Sequence, residues 1–146
     1  MSEDHVAKVK AALATWNGVT LRPEDRPFER IFALEALTAI AASDAVYEAD
    51  DLPDQAGEVY QGYEAWVRAA ETWIEPCEWM VVDLEQVLDA GDRVVSLHRA
   101  HMRMRQTGIE FEMHVAYVYT FRNGKVVHNR AFASHSEALK AVGLKE

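Results

Sequence analysis

At 146 residues, 49% of them hydrophobic and four of them tryptophan, the chain is long enough to bury its own core as a single domain, residues 1–146. A net charge of −9 argues against a nucleic-acid surface or an anionic membrane as the main partner, and a lone cysteine, Cys77, excludes an intrachain disulfide or a cysteine-rich metal knuckle. The start, Met-Ser-Glu-Asp-His, is not that of a signal peptide, and no apolar run nears the roughly 20 residues that span a bilayer, so a soluble, cytoplasmic protein is expected.

Along the chain, Val6, Val9, Ala12, Leu13 and Trp16 fall at helical spacing and predict an amphipathic helix over Glu3–Trp16, ended by Asn17-Gly18. A second helix is expected from Pro27, a good first-turn residue, through Phe28, Ile31, Phe32, Leu34, Leu37 and Ile40 to Ala42. After a break at Ser43-Asp44, Ala45–Ala49 reads as a short strand, and the acidic, proline-bearing run Asp50–Val59 reads as a solvated loop. Trp66, Val67, Ala70 and Trp73 mark a third helix over Tyr63–Ile74, stopped by Pro76. A long strand follows over Cys77–Leu88, then three more: Asp92–Arg105, Ile109–Phe121 and Lys125–Ala133. Ser134-His135-Ser136-Glu137 resembles a capping box opening a last helix, Ala138–Val142, closed by Gly143. Helices followed by antiparallel strands mean an α+β domain.

The last three strands carry the most information. Alternation sorts the first into Val94, Ser96, His98, Ala100, Met102 and Met104 on one face, and Val95, Leu97, Arg99, His101, Arg103 and Arg105 on the other. The first set is mostly apolar and is assigned to the core. A two-residue Thr107-Gly108 turn would pair Arg105 with Glu110, Arg103 with Glu112, His101 with His114 and His98 with Tyr117. It collects Phe111, Met113, Val115, Tyr117 and Tyr119 on the inner face. At the second turn, two residues (Asn123-Gly124) would send Val126, His128 and Arg130 inward. A three-residue loop with Gly124 left-handed would send Val127, Asn129, Ala131 and Ala133 inward instead, and is preferred because it keeps Arg130 off an apolar face. It sets Asn129 beside Tyr117, so that His98, Tyr117 and Asn129 form one polar row across a greasy surface.

Together, Asp44–Glu48, Val59–Glu64, Ala90–Val95, Tyr119–Val126 and Glu137–Leu144 resemble, in order and over nearly the whole chain, the SnoaL-like and ketosteroid isomerase-like branch of the nuclear transport factor 2-like fold. That resemblance implies a cone of three N-terminal helices packed on a curved antiparallel sheet around a pocket. It places His98, Ala100, Met102 and Met104 on pocket-lining positions. The general-base aspartate of ketosteroid isomerases falls on Ala49, their first-helix tyrosine on about Ala12, and their protonated oxyanion aspartate on Tyr117. Steroid isomerisation by that route is therefore not expected. The arginine and paired aspartates of limonene epoxide hydrolase have no inner-face match either.

His98, Tyr117 and Asn129 are the candidate catalytic residues: a proton carrier, a hydroxyl donor and an orienting amide. Such a trio suits enolisation, aldol-type cyclisation or elimination of water from a carbonyl compound, where a proton leaves carbon as an oxygen gains charge. Tyr47, Met102, Met104, Phe111, Met113 and Trp66 are the candidate apolar lining for a small hydrophobic molecule. No glycine-rich phosphate loop is visible, and no cofactor or metal is expected. His101 and His114 with Glu112 lack a fixed third ligand and are read as a salt-bridged surface or subunit interface; His5, His128 and His135 stand in no constellation. The Arg/Glu face flanked by Val95, Leu97 and Val118 suits a homodimer. The competing readings are a cofactor-free enzyme, a non-catalytic binding domain and a homodimeric interaction module.

Overall fold

The computed structural model describes residues 2–15, 17–24, 40–49 and 58–144. Numbered along those residues, the helices are α1 (Ser2–Ala14), α2 (Tyr63–Ile74) and α3 (His135–Ala141). The strands are β1 (Thr20–Leu21), β2 (Ala41–Ala49), β3 (Val59–Gln61), β4 (Cys77–Asp89), β5 (Arg93–Met104), β6 (Glu110–Arg122) and β7 (Lys125–Phe132). They form one sheet in the order β1-β4-β5-β6-β7-β2-β3, antiparallel except at the β2–β7 seam, which is parallel. No described helix is long and apolar enough to cross a membrane.

The third expected helix is present as α2, Tyr63–Ile74, but among the described residues three helices at the N-terminus are not matched. Among the described residues only α1 precedes the first strand, α2 follows β3, and α3 comes after the sheet. The second helix expected from Pro27 lies largely in residues 25–39, outside the described residues, and its expected end at Ala42 gives way to β2, where Ala41 pairs with Val126. The break read at Ser43-Asp44 is a register shift inside that strand, between Ala41 and Val46.

Alternation assigns the sheet faces correctly. Val94, Ala100, Met102, Val115, Tyr117, Tyr119 and Phe121 pack with Val9 and Leu13 of α1 and Ala69 of α2 in one core. Val95, Leu97, Ala116, Val118 and Phe132 form a second cluster beneath Ala138 and Leu139 of α3. Two clamps hold α2 on β2: Tyr63 Oη donates to Ala41 O at 2.8 Å and Trp66 Nε1 to Ala45 O at 3.0 Å. Ser134 caps α3, its Oγ accepting from Glu137 N, so that helix begins at His135, three residues before the expected start.

Both hairpins differ from expectation in register. Five residues, Arg105 to Ile109, lie between β5 and β6, and a bond across Met104 and Ile109 closes a four-residue loop, Arg105 to Gly108: Met104 N donates to Ile109 O and Gly108 N to Met104 O, each at 2.9 Å. The pairing therefore slides by two residues, the smallest slip that keeps every side chain on its face. Arg103 now meets Glu110, His101 meets Glu112, His114 meets Arg99, and His98 lies opposite Val115 rather than Tyr117. Charge matching survives the slip, since Arg103 holds Glu78 at 2.7 Å and Glu110 at 3.2 Å.

At the second hairpin, Asn123-Gly124 is the two-residue turn, not the three-residue loop. Both take positive φ, 53° and 78°, as a type I′ turn requires. Val126 points inward, and a bulge between the Thr120–His128 and Phe121–Val126 pairs then returns Asn129 and Ala131 to the inner face. Arg130 is carried outward, its guanidinium 4.7 Å from the centre of the Phe132 ring. A methyl group on Gly124 would meet Lys8 Nζ at 3.3 Å, where that ammonium donates to Gly124 O. Gly124→Ala, strained also by its positive φ, is expected to cost about 1–2 kcal/mol, read as a lower urea midpoint at unchanged m.

Candidate functional site

Between α1, α2 and the inner sheet face lies a cavity of about 150 Å³. Val9, Leu13, Leu21, Ile40, Trp66, Ala69, Trp73 and Val82 make most of its wall apolar, and its polar points are Tyr47, Tyr117, Tyr119 and Asn129. Tyr47, Asn129 and Tyr119 are direct neighbours across β2, β7 and β6, and Tyr117 stands one row further along, opposite Ala131. The parallel seam thus brings Tyr47 to the site, and the bulge in β7 turns Asn129 toward it.

Of the residues singled out from sequence, Tyr47, Trp66, Tyr117 and Asn129 line the cavity. His98, Met102, Met104, Phe111 and Met113 are not among its lining residues. Met102 is core, while Phe111, 39% exposed, sits near the tip of the β5–β6 hairpin. His98 is fully buried, its ring edge-on to that of Tyr117 with centroids 5.3 Å apart. Its Nε2 is 2.8 Å from Ser96 Oγ, and Ser96 Oγ donates to Tyr119 Oη at 3.2 Å. The hydrogen-bonded chain therefore runs His98–Ser96–Tyr119, and Asn129 lies beside Tyr119 instead of Tyr117. Ser96 and Tyr119 carried no functional role in the sequence reading. Their signal was a serine, two residues from a histidine, in an otherwise apolar inward-facing set.

Burial, with His135 nearby, pushes the His98 imidazole down to about 4, so the ring is neutral at ordinary pH. Burial also raises the phenols of Tyr47, Tyr117 and Tyr119, and the bond from Ser96 opposes that rise at Tyr119. All three remain neutral donors. Asn129 is 7% exposed, and its Oδ1 has no hydrogen-bond partner among the described residues. Such an acceptor at the wall of an apolar cavity suits a ligand's donor. Cys77 is buried, and burial raises its thiol, which leaves it unreactive.

The three histidines that stood in no constellation, His5, His128 and His135, have partners that the sequence did not reveal. His5 stacks on Phe121 with centroids 4.0 Å apart, and His128 Nε2 lies 3.6 Å from Glu48. His135 Nε2 is 2.8 Å from the backbone oxygen of His98.

No curated protein matches this sequence. Among solved structures, a nuclear transport factor 2-like protein of unknown function from Burkholderia pseudomallei is 16% identical, covering 95% of this chain and 97% of its own, at a TM-score of 0.65. A hypothetical protein with a ketosteroid isomerase-like fold from Catenulispora acidiphila, in complex with trimethylamine, is 20% identical over 94% of this chain and 93% of its own, at a TM-score of 0.63. A candidate SnoaL-like polyketide cyclase from Jannaschia sp. CCS1 is 14% identical over 99% and 95%, at 0.66. At these identities the likeness carries the fold and leaves the reaction open. The SnoaL-like domain family model matches residues 32–129, more than half of the chain. This chain belongs to the SnoaL-like domain family and has the nuclear transport factor 2-like fold.

Proposed function

We propose that the cavity binds a small apolar molecule, about one ring in size, through a carbonyl or hydroxyl oxygen, and polarises that oxygen so that water or a buffer base entering with the ligand takes the α-proton, with no cofactor. Enolisation, aldol-type cyclisation and loss of water all fit this description. The observation that carries the reading is the buried chain His98–Ser96–Tyr119, which ends in a phenol on the cavity wall. With Ser96 Oγ donating to Tyr119, its oxygen takes the His98 Nε2–H, and the Tyr119 hydroxyl proton is left for the ligand. Each donor in such a series strengthens the next. In a low-dielectric, largely apolar site a donor aimed at a developing oxyanion is worth far more than in water. Tyr117 and Tyr47 supply further hydroxyls, Asn129 orients the ligand, and neutral His98 acts as a positioning residue. The likeness to a candidate polyketide cyclase is in keeping with this chemistry.

A second reading, a non-catalytic binding domain, is favoured by one fact. No carboxylate or imidazole is among the described residues that line the cavity. A homodimer through the outer sheet face remains part of the proposal. A partner would meet the charged strip of Arg99, Arg103 and Glu112, because Val95, Leu97 and Val118 lie beneath α3.

Incubating the protein in D2O with a panel of monocyclic ketones separates the readings. Under the first, deuterium enters the α-carbon faster than in buffer, and the ligand quenches Trp66 and Trp73. Ala69→Phe, which projects a ring into the cavity, removes both signals without changing the circular dichroism spectrum. Quenching without exchange leaves the binding domain, and the absence of both sinks the two together.

A further inference from the structure

On the sheet face opposite the cavity, Glu85 of β4, His114 of β6 and His135 of α3 converge, with one ligand atom from each within 4.8 Å of the other two. Glu85 is the extra residue of a β4 bulge, between the Leu84–His98 and Gln86–Leu97 pairs. The two imidazoles meet edge to face with centroids 4.6 Å apart. None of the three side chains is a member of the His98–Ser96–Tyr119 chain, which His135 touches only at the His98 carbonyl.

We propose that this cluster binds a divalent transition ion of the zinc type through two imidazole nitrogens and one carboxylate oxygen. The hydrogen bond at His135 supports the assignment. The His98 carbonyl only accepts, so His135 Nε2 carries the proton and Nδ1 holds the lone pair. A ring held through its second nitrogen by a backbone carbonyl is the usual setting of a metal-bound histidine. Two histidines and a carboxylate leave a fourth position for water, as zinc sites often do. Bonds of about 2.0 Å in a tetrahedron place ligand atoms about 3.3 Å apart. His114 and Glu85 are exposed, and rotation of their side chains closes the remaining gap. The competing contact is Arg99 Nη2, 3.3 Å from Glu85, an exposed pair that is worth little in water. Bound here, the ion pins α3 across β4 and β6, over the outer apolar cluster.

The test titrates tag-free, chelator-treated protein with ZnCl2 by calorimetry and with CoCl2 by visible absorption. One equivalent of zinc is expected, with low-symmetry cobalt bands and a Tm that rises with zinc concentration. His114→Ala and Glu85→Gln should each weaken zinc binding on the order of ten-fold or more. His101→Ala and His128→Ala should leave it unchanged. His114 is exposed, so its loss does not endanger the fold; His135→Ala also releases the His98 carbonyl and is secondary. Absence of binding at millimolar zinc, unaltered affinity in His114→Ala, or an equal loss in His101→Ala would overturn the proposal.

Discussion

Tyr119→Phe is expected to slow α-proton exchange by about 10²–10³-fold while changing apolar ligand affinity only a few-fold. That range is the usual consequence of removing one preorganised oxyanion donor. The asymmetry follows from the wall of the cavity, whose apolar side chains supply most of the binding and are untouched by the substitution. Ser96→Ala tests the same chain from behind. Tyr119 keeps its hydroxyl but loses the bond that strengthens it, and His98 Nε2 loses its contact with Ser96 Oγ. A buried donor left without an acceptor costs about 1–3 kcal/mol, so Ser96→Ala should lower both the rate and the stability. Exchange that persists in Tyr119→Phe and disappears in Tyr117→Phe would move the polarising role to the other phenol.

Acid should destabilise this protein through His98, and His98→Gln should remove that component. The native imidazole is held near pH 4 against an ordinary value of 6.5, so the unfolded chain takes up the proton first. The contribution is therefore intact above pH 6.5 and lost progressively as the pH falls toward 4. The shift corresponds to about 3 kcal/mol. Burial is the main cause and the His135 ring the lesser one, and the Tyr117 ring packs against the imidazole without charge. The substituted amide would keep an N–H for Ser96 but cannot titrate. Denaturant melts at pH 7 and pH 4.5, run with a chelator so that His135 stays metal-free, should show the wild type losing more stability than the variant. Parallel losses would mean that His98 is solvated in solution.

Much of the arrangement was legible because side-chain alternation along a strand depends on the local sequence alone. The placement of Val94, His98, Ala100 and Met102 inward and of Val95 and Leu97 outward needed no knowledge of what lay next to them. Register was harder to read. A Thr107-Gly108 turn and a four-residue Arg105–Gly108 loop both leave charges matched and faces intact, and they differ only in which backbone groups close the turn. That two-residue difference decided whether Tyr117 or Val115 stood opposite His98. The β7 bulge was invisible for a similar reason, since both readings of the second turn were partly right: Val126 follows one and Asn129 the other. The outer cluster of Glu85, His114 and His135 unites three separate elements, and spacing along one chain could not bring them together.

The parallel seam also bears on how the chain reaches this state. Strands β4 to β7 are sequential neighbours, so each finds its partner after a short turn. Tyr47 and Asn129, paired across the seam, are more than eighty positions apart, and joining them requires closure of a large loop. Contacts of that range form late and slow the whole reaction. During synthesis β2 leaves the ribosome long before β7 exists, with an unsatisfied edge that must wait for the last strand. The wall bearing Tyr47 therefore closes only once β7 is in place.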